Sequence, residues 1–256
     1  AHASDGSRLA MRLVVLLACA FVAFGAQGDF DPEMDWSHEN MYRLRYFKIR
    51  GLAEAVRLVL EEAGAPYVEA SFSGDEWKAA KPALTERGTL AFGQLPLLQT
   101  PEGDNFVQSK AIIRHLARKY KLNLEDLGES VLTGVDMAAE GVEDIRSKYG
   151  RMVNSPTYSQ ADLDEYRKEW YPTRLKAFEK AMRGDYLLGD RISYADLTLW
   201  DIVDSHTEWL GAEPLAAAPK LQAWFSRVAA RPNIAAYLAS ERRPSYNSYP
   251  IKNPKQ

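Results

Sequence analysis

The period of the hydrophobic pattern changes once along the chain, and that change constrains the fold more than any other feature. Up to residue 122, short runs of strand length interleave with amphipathic runs at helical spacing; beyond it, every extended pattern is helical. Strands interleaved with helices build a sheet covered by helices, and helices without strands must bury their apolar faces on one another. The chain is therefore expected to be α/β over 42–122 and all-helical over 129–256, with "NLEDLG" (123–128) as the link.

Within the first part, "YRLRYF" (42–47) reads as a strand with Leu44 and Tyr46 on one face. Leu52, Val56, Val59, Leu60 and Ala63 follow at helical spacing, and Gly64 ends that run as a C-cap. "PYVEASF" (66–72) is a second strand, and "DEWKAAKPAL" (75–84) suits a short helix or an irregular crossing. "LPLLQT" (95–100), the turn "PEGD" and "NFVQ" (105–108) make a β-hairpin. "SKAIIRHLARKYKL" (109–122) is amphipathic through Ile112, Ile113, Leu116 and Tyr120. A right-handed βαβ unit followed by a hairpin and its covering helix predicts a mixed four-stranded sheet with helices on both faces. Helical patterns then occupy 129–154, 159–182, 193–209 and 218–230, with a shorter one after Pro232. Ser193 and Asp196 form a capping box, with Ile192 placed to staple onto Leu197.

With 256 residues, 46% hydrophobic and 26% charged, the chain can bury a sizeable core. A net charge of -3 offers no basic stripe for phosphates, so nucleic acid is not an expected partner. Arg12, the apolar run "LVVLLACAFVAF" (13–24) and the small residues Ala26 and Gly28 read as a secretory signal peptide cut after Gly28. Met11 would be its start and the preceding residues an upstream remnant, with 29–41 a loose acidic arm. Spanning a bilayer takes about 20 apolar residues, so no stable membrane span is expected. The only cysteine, Cys19, lies in that segment, which leaves the mature chain without a thiol nucleophile or disulfide. His2, His38, His115 and His206 have no metal-ligand spacing, and no metal is expected.

Several residues carry two readings on their own chemistry. Pro96 sits among Leu95, Leu97 and Leu98, where its missing N–H breaks a strand ladder and argues for an edge. Ser109 opens a helix: it is an N-cap, or part of a carboxylate site made by the free N–H groups there. Tyr46 is a core aromatic or a hydroxyl donor at a strand end. Asp144 is a solvated helix carboxylate or a ligand contact, and Phe92 is a tucked loop residue or an interface residue.

"YFKIRGLAEAVRLVLE", "FGQLPLL", "QSKAIIRHLARKY", "GVEDIRSKY" and "YPIKNPKQ", in this order within 42–256, resemble the cytosolic glutathione S-transferases. The first string is similar to the mu class and the others to the pi class, with the sigma class also near. The resemblance implies a thioredoxin-like domain followed by a helical one. It also implies an enzyme that joins the thiol of glutathione, its substrate, to small hydrophobic electrophiles in detoxification. Tyr46 matches the catalytic tyrosine. Gln108 and Ser109 match the γ-glutamyl carboxylate site, and Asp144 matches the aspartate that reaches the γ-glutamyl amine from the neighbouring subunit. Gln94, Leu95 and Pro96, the last in a cis bond, match the segment that pairs with the cysteine of glutathione. Trp77 matches the tryptophan at the glycine carboxylate. Its companion cation is Lys81 counted from Trp77 and Arg87 counted back from Gln94, because the interval is longer than in the pi class. Leu52 follows the mu class where the pi class has arginine. Lys48, Ile49, Met152, Asn154 and the C-terminal "SYNSYPI" correspond to the electrophile site, with Asn154 near a pi-class tyrosine. Phe92 matches an aromatic key that enters the partner of a homodimer, and Arg114, Arg118 and Asp136 match interface charges. The same fold also serves glutathione-dependent isomerases, such as the sigma-class prostaglandin D synthase, and non-catalytic relatives such as lens S-crystallins. The leader implies export or passage into an organelle, whereas the family is otherwise cytoplasmic.

Overall fold

The computed structural model describes residues 40–245; the expected leader 1–28, most of the 29–41 arm and the C-terminal stretch after Ser245 lie outside them. β1 (Tyr42–Phe47) is an inner strand of a four-stranded sheet in the order β2-β1-β3-β4. It pairs in parallel with β2 (Tyr67–Phe72), from Tyr42 opposite Tyr67 to Phe47 opposite Phe72. On its other edge it pairs antiparallel with β3 (Leu97–Gln99), which pairs antiparallel with β4 (Asn105–Val107). The mixed sheet agrees with the expected order of elements. β3 is shorter than the run 95–100, because Pro96 has no N–H for the ladder.

Between β1 and β2 a single 3-10 turn, Gly51–Ala53, leads into α1 (Glu54–Glu62). Gly64, at φ +60, lets the Gly64 N–H reach Glu61 O and the Ala65 N–H reach Leu60 O, both at 2.9 Å. That pair of bonds is a Schellman stop, which needs a left-handed residue and therefore favours glycine. The stretch expected as a short helix or crossing is a full helix, α2 (Gly74–Glu86). Its start comes from a capping box, Ser73 N–H to Glu76 Oε2 at 2.6 Å and Glu76 N–H to Ser73 Oγ at 3.3 Å. α3 (Ser109–Lys119) stops before residue 122, and Lys121 adopts φ +58.

After a 3-10 turn at Glu125–Leu127 come α4 (Glu129–Asn154), α5 (Gln160–Glu165) and α6 (Tyr171–Ala181). The single helix expected over 159–182 instead contains a π turn at Tyr166–Trp170. Pro172 has no N–H to offer Lys168 O, and a wider turn absorbs the missing bond. α7 (Tyr194–Leu210), the short α8 (Glu213–Ala216), α9 (Pro219–Ala229) and α10 (Pro232–Leu238) complete the bundle; α8 has no counterpart in the sequence reading. The Ser193–Asp196 box forms, with Ser193 N–H at 2.9 Å and its hydroxyl at 2.7 Å from the Asp196 carboxylate. That carboxylate also accepts the Leu187 N–H at 2.9 Å and the Trp224 indole N–H at 2.8 Å. Ile192 and Leu197 are both buried.

α1 packs against α3, α7 and α10, so one apolar core runs from the sheet into the helical part. Across 123–128 the secondary structure changes while the packing continues. Among the described residues, no helix is long and apolar enough to cross a membrane, and no cluster of His, Cys, Asp or Glu is built to hold a metal ion.

Candidate active site

Tyr46 is the fifth residue of β1 and is buried. Its hydroxyl oxygen accepts the Leu52 N–H at 3.1 Å. Leu52 lies in the first helical turn after the loop, where backbone N–H groups lack helical partners and the dipole is positive. This bond uses the acceptor side of the hydroxyl and not its proton, and it stabilises negative charge on the oxygen. A phenol so placed is a good donor to an anion.

Four loop and helix-end features gather beyond β3. The Leu95–Pro96 peptide is cis, as expected. Among the described residues, the Leu95 N–H and C=O pair with no other backbone group. Gln108, at φ +70, caps α3, and its side-chain amide donates to Gln94 Oε1 at 3.1 Å. Ser109 follows as the first residue of α3, and its N–H therefore belongs to the open end of that helix.

Trp77 lies in the first turns of α2, its ring edge-on to Phe47 at 6.1 Å and Phe72 at 5.6 Å. These two phenylalanines are register partners across β1 and β2, so the sheet fixes the indole. Lys81 sits one helical turn on, its Nζ 5.6 Å from the Trp77 ring centroid. A Cβ on Gly93 would stand 3.4 Å from Lys81 Cε, which places the lysine against the loop before Gln94. Arg87, by contrast, is the exposed C-terminal cap of α2. The structure thus brings Lys81 to Trp77.

Two depressions separate residues that the sequence reading grouped. A cavity of about 30 Å³ is lined by Leu52, Ser109, Arg114, Glu143, Arg146 and Thr198. Asp144 instead borders a groove of about 200 Å³ with Met137, Ala138, Gly141 and Phe178. Within one chain, therefore, the carboxylates that share this cavity with Ser109 are Glu140 and Glu143, the latter one residue and about 100° around the helix from Asp144. Sequence reasoning missed Glu143.

Among the described residues, Phe92 and Met137 are the most exposed large apolar residues, at 68% and 71%. Arg114 pairs with Glu140 at 2.5 Å and lies 3.8 Å from Asp136, which also accepts the Tyr194 hydroxyl. Arg118 is exposed in the last turn of α3. Of the expected electrophile-site residues, Lys48 and Asn154 are exposed and Ile49 is half-buried. Asn154 folds its amide back onto Gly150 O at 2.8 Å. Met152 is buried and belongs to the core.

The loop between Tyr46 and Leu52 is held by arginines that the sequence reading did not single out. Arg57, fully buried on α1, donates to Ile49 O and Arg50 O at 3.2 Å each, to Glu69 at 2.8 Å and to Glu54 at 3.0 Å. Burial works against its charge, but the Glu69 and Glu54 carboxylates more than offset that and raise its pKa. A cation flanked by Val56 and Leu58 was the available signal: a buried charge requires partners.

The family model described as "Glutathione S-transferase, N-terminal domain" matches residues 42–118, and the one described as "Glutathione S-transferase, C-terminal domain" matches 143–241. Glutathione S-transferase 2 of Onchocerca volvulus is 40% identical over 202 residues, covering 77% of this chain and 91% of that protein. Glutathione S-transferase P of Homo sapiens is 36% identical over 216 residues, covering 82% of this chain and 96% of that protein. The solved Pi-class glutathione S-transferase of Onchocerca volvulus superposes with a TM-score of 0.68 at 39% identity, over 77% of this chain and 91% of that one.

Proposed function

The chain belongs to the glutathione S-transferase family, and from that premise we propose that Tyr46 activates the glutathione thiol for transfer to small hydrophobic electrophiles. A free thiol has a pKa of about 8.5, so only a few per cent is thiolate at neutral pH. A hydroxyl that donates to the sulfur favours the anion, and about 1.4 kcal/mol of such preference makes the thiol tenfold more acidic. The observation that carries this reading is the Tyr46 hydroxyl oxygen accepting the Leu52 N–H at 3.1 Å, a bond that favours negative charge on that oxygen and so makes the phenol a better donor to the sulfur. The thiolate then attacks the electrophilic carbon; the new S–C bond forms as the leaving group departs with its electron pair, or as a π bond opens and takes up a proton.

Glutathione binds as an added strand: its cysteine pairs with the Leu95 N–H and C=O. The Ser109 N–H and hydroxyl hold the γ-glutamyl carboxylate at the end of α3, with Gln108 and Gln94 beside it. The Trp77 indole and Lys81 hold the glycine carboxylate; the contact of Lys81 with Trp77 and Gly93 supports it over Arg87. Leu52 contributes its N–H to Tyr46 and an apolar side chain in place of a cation. The working unit is a homodimer in which Phe92 enters the partner's groove at Met137, Ala138, Gly141 and Phe178. An exposed phenylalanine and an open apolar groove on the same chain support that pairing. Arg114, Arg118 and Asp136 flank the interface, and Asp144, bordering the groove, serves the partner's γ-glutamyl amine.

The Tyr46→Phe variant tests the reading. It is expected to keep binding to glutathione resin while losing about a hundredfold or more of its conjugation of 1-chloro-2,4-dinitrobenzene at neutral pH, the usual scale for removing a proton donor. Turnover equal to that of the unaltered chain would remove Tyr46 from the chemistry.

A further inference from the structure

We propose that Arg50 is a positioning residue for thiol activation: it ties the loop between Tyr46 and Leu52 to the α7 carboxylates and to the C-terminal segment at Pro244–Ser245. The inference rests on the role of Tyr46 given above. Only residues 47–51 separate the hydroxyl-bearing tyrosine from the N–H that supports it, and Arg50 lies two residues before that N–H.

Its side chain is 6% exposed and is engaged on every nitrogen. Nε donates to Pro244 O at 3.1 Å and Nη2 to Ser245 O at 3.0 Å. Nη1 donates to Asp204 Oδ2 at 3.2 Å and sits 2.8 Å from Glu208 Oε1. One fork therefore holds a helix and the segment at Pro244–Ser245, which are 154 to 195 residues away. Lysine has neither the planar spread nor the donor count to do this.

Arg57 grips the same loop as well, through the carbonyl oxygens of residues 49 and 50. Arg243 completes the bracket, pairing with Asp204 and, at 2.8 Å, with Glu54 of α1. The loop is thus held both through its own Arg50 side chain and through its carbonyls. A hydrogen bond weakens steeply once distance and angle drift. Loosening the Arg50 side lets Leu52 N move away from the Tyr46 oxygen, and the hydroxyl becomes a poorer donor to sulfur. In this way the seating of residues 244–245 reaches the sulfur without touching it.

The readout is the pKa of the bound glutathione thiol, titrated by thiolate ultraviolet absorbance without electrophile in the full chain. Arg50→Lys retains a cation for Asp204 and Glu208 but loses the fork to the two carbonyls. Arg50→Met removes both arms, and Glu208→Gln weakens the α7 arm at a carboxylate that is 47% exposed. Both Arg50 variants are expected to make the bound thiol about tenfold less acidic, with a correspondingly smaller thiolate fraction at neutral pH. Affinity for glutathione in its thiol form, measured well below the bound thiol pKa, should stay the same, and kcat should recover as pH is raised. A purely structural role would lower the thermal midpoint and leave the thiol pKa in place. An unmoved pKa in folded Arg50→Lys and Arg50→Met overturns the inference. Should Arg50→Met not fold, Arg50→Lys and Glu208→Gln decide alone. Tyr46→Phe is measured alongside: if it too leaves the pKa unmoved, the role of Tyr46 falls; if it alone raises the pKa, only the inference about Arg50 falls.

Discussion

Replacing Phe92 by alanine should dissociate the proposed dimer, and the size of the effect follows from exposure. An aromatic side chain offers about 150–250 Å² to burial. Phe92 is 68% exposed in one chain, so roughly 100–170 Å² of it remains to be covered, worth about 2.5–4 kcal/mol at about 25 cal/mol/Å². A two-fold interface contains two such contacts, which doubles the figure to about 5–8 kcal/mol per dimer. Alanine keeps some contact and the groove relaxes around it, so only about 3 kcal/mol of that is taken as a conservative expectation. At about 1.4 kcal/mol per decade, the dissociation constant then rises at least about a hundredfold. Sedimentation velocity over a dilution series reads this directly, and a protein that unfolds is distinguished by its circular dichroism. Asp144 adds a second consequence: glutathione affinity should fall with the monomer fraction, because the γ-glutamyl amine loses its carboxylate. A Phe92→Ala chain with the same dissociation constant and a native spectrum would refute the pairing of this ring with the groove at Met137.

The cation at the glycine carboxylate separates cleanly: Lys81→Met should raise KM for glutathione about tenfold, the worth of one charge-assisted hydrogen bond, while Arg87→Met leaves it unchanged. Equal effects would contradict the placement of Lys81 against Trp77. Two buried groups on α7 should make the pH dependence of stability deceptively flat. Burial pushes the Asp201 carboxyl up from its usual 3.8 to about 6, so the folded chain holds a proton there that the unfolded chain has lost, and stability falls as pH rises through that window. Burial pulls His206 down from 6.5 to about 3; there the unfolded chain holds the extra proton, and stability falls as pH drops below about 6.5. The two slopes oppose each other between 3.8 and about 6. Urea midpoints across that range should fall with rising pH in His206→Gln and fall with falling pH in Asp201→Asn; parallel profiles would show that the pair does not offset.

The sheet, its partners and most helices were legible because their hydrophobic periods are clean and their stops are chemical. Gly64 and the Ser193–Asp196 box behave as their residue types dictate. The π turn before Pro172 was not legible, because a proline inside a helical run fixes a missing bond but not how the turn absorbs it. α8 is too short for any period to register. Tyr46, Pro96, Gln108 and Ser109 could be placed from the strings around them, and the structure brings their segments together. Lys81 could not be chosen over Arg87 by counting, since the difference is which face of α2 meets Trp77. Glu143 and Asp144 are adjacent in sequence, yet helix rotation sends them to different depressions. Met152 shows the same limit: one position on α4 faces the core or a cleft depending on neighbours far along the chain. Arg50 and Arg57 were passed over because charged residues ordinarily face water, and only the fold reveals carboxylates waiting for them.

α1 has almost no face turned to solvent: residues 54 to 60 are all buried. Large-to-small changes at such positions cost about 2–5 kcal/mol, whereas exposed positions such as Lys48 and Asn154 change at about 0.5 kcal/mol or less. Mutational freedom is therefore distributed unevenly around the sulfur. The side that would generate the thiolate is locked to the helix on which the whole core depends, and the side that would meet the electrophile is cheap to vary. Descendants of this sequence can drift in what they modify while being held to how they do it.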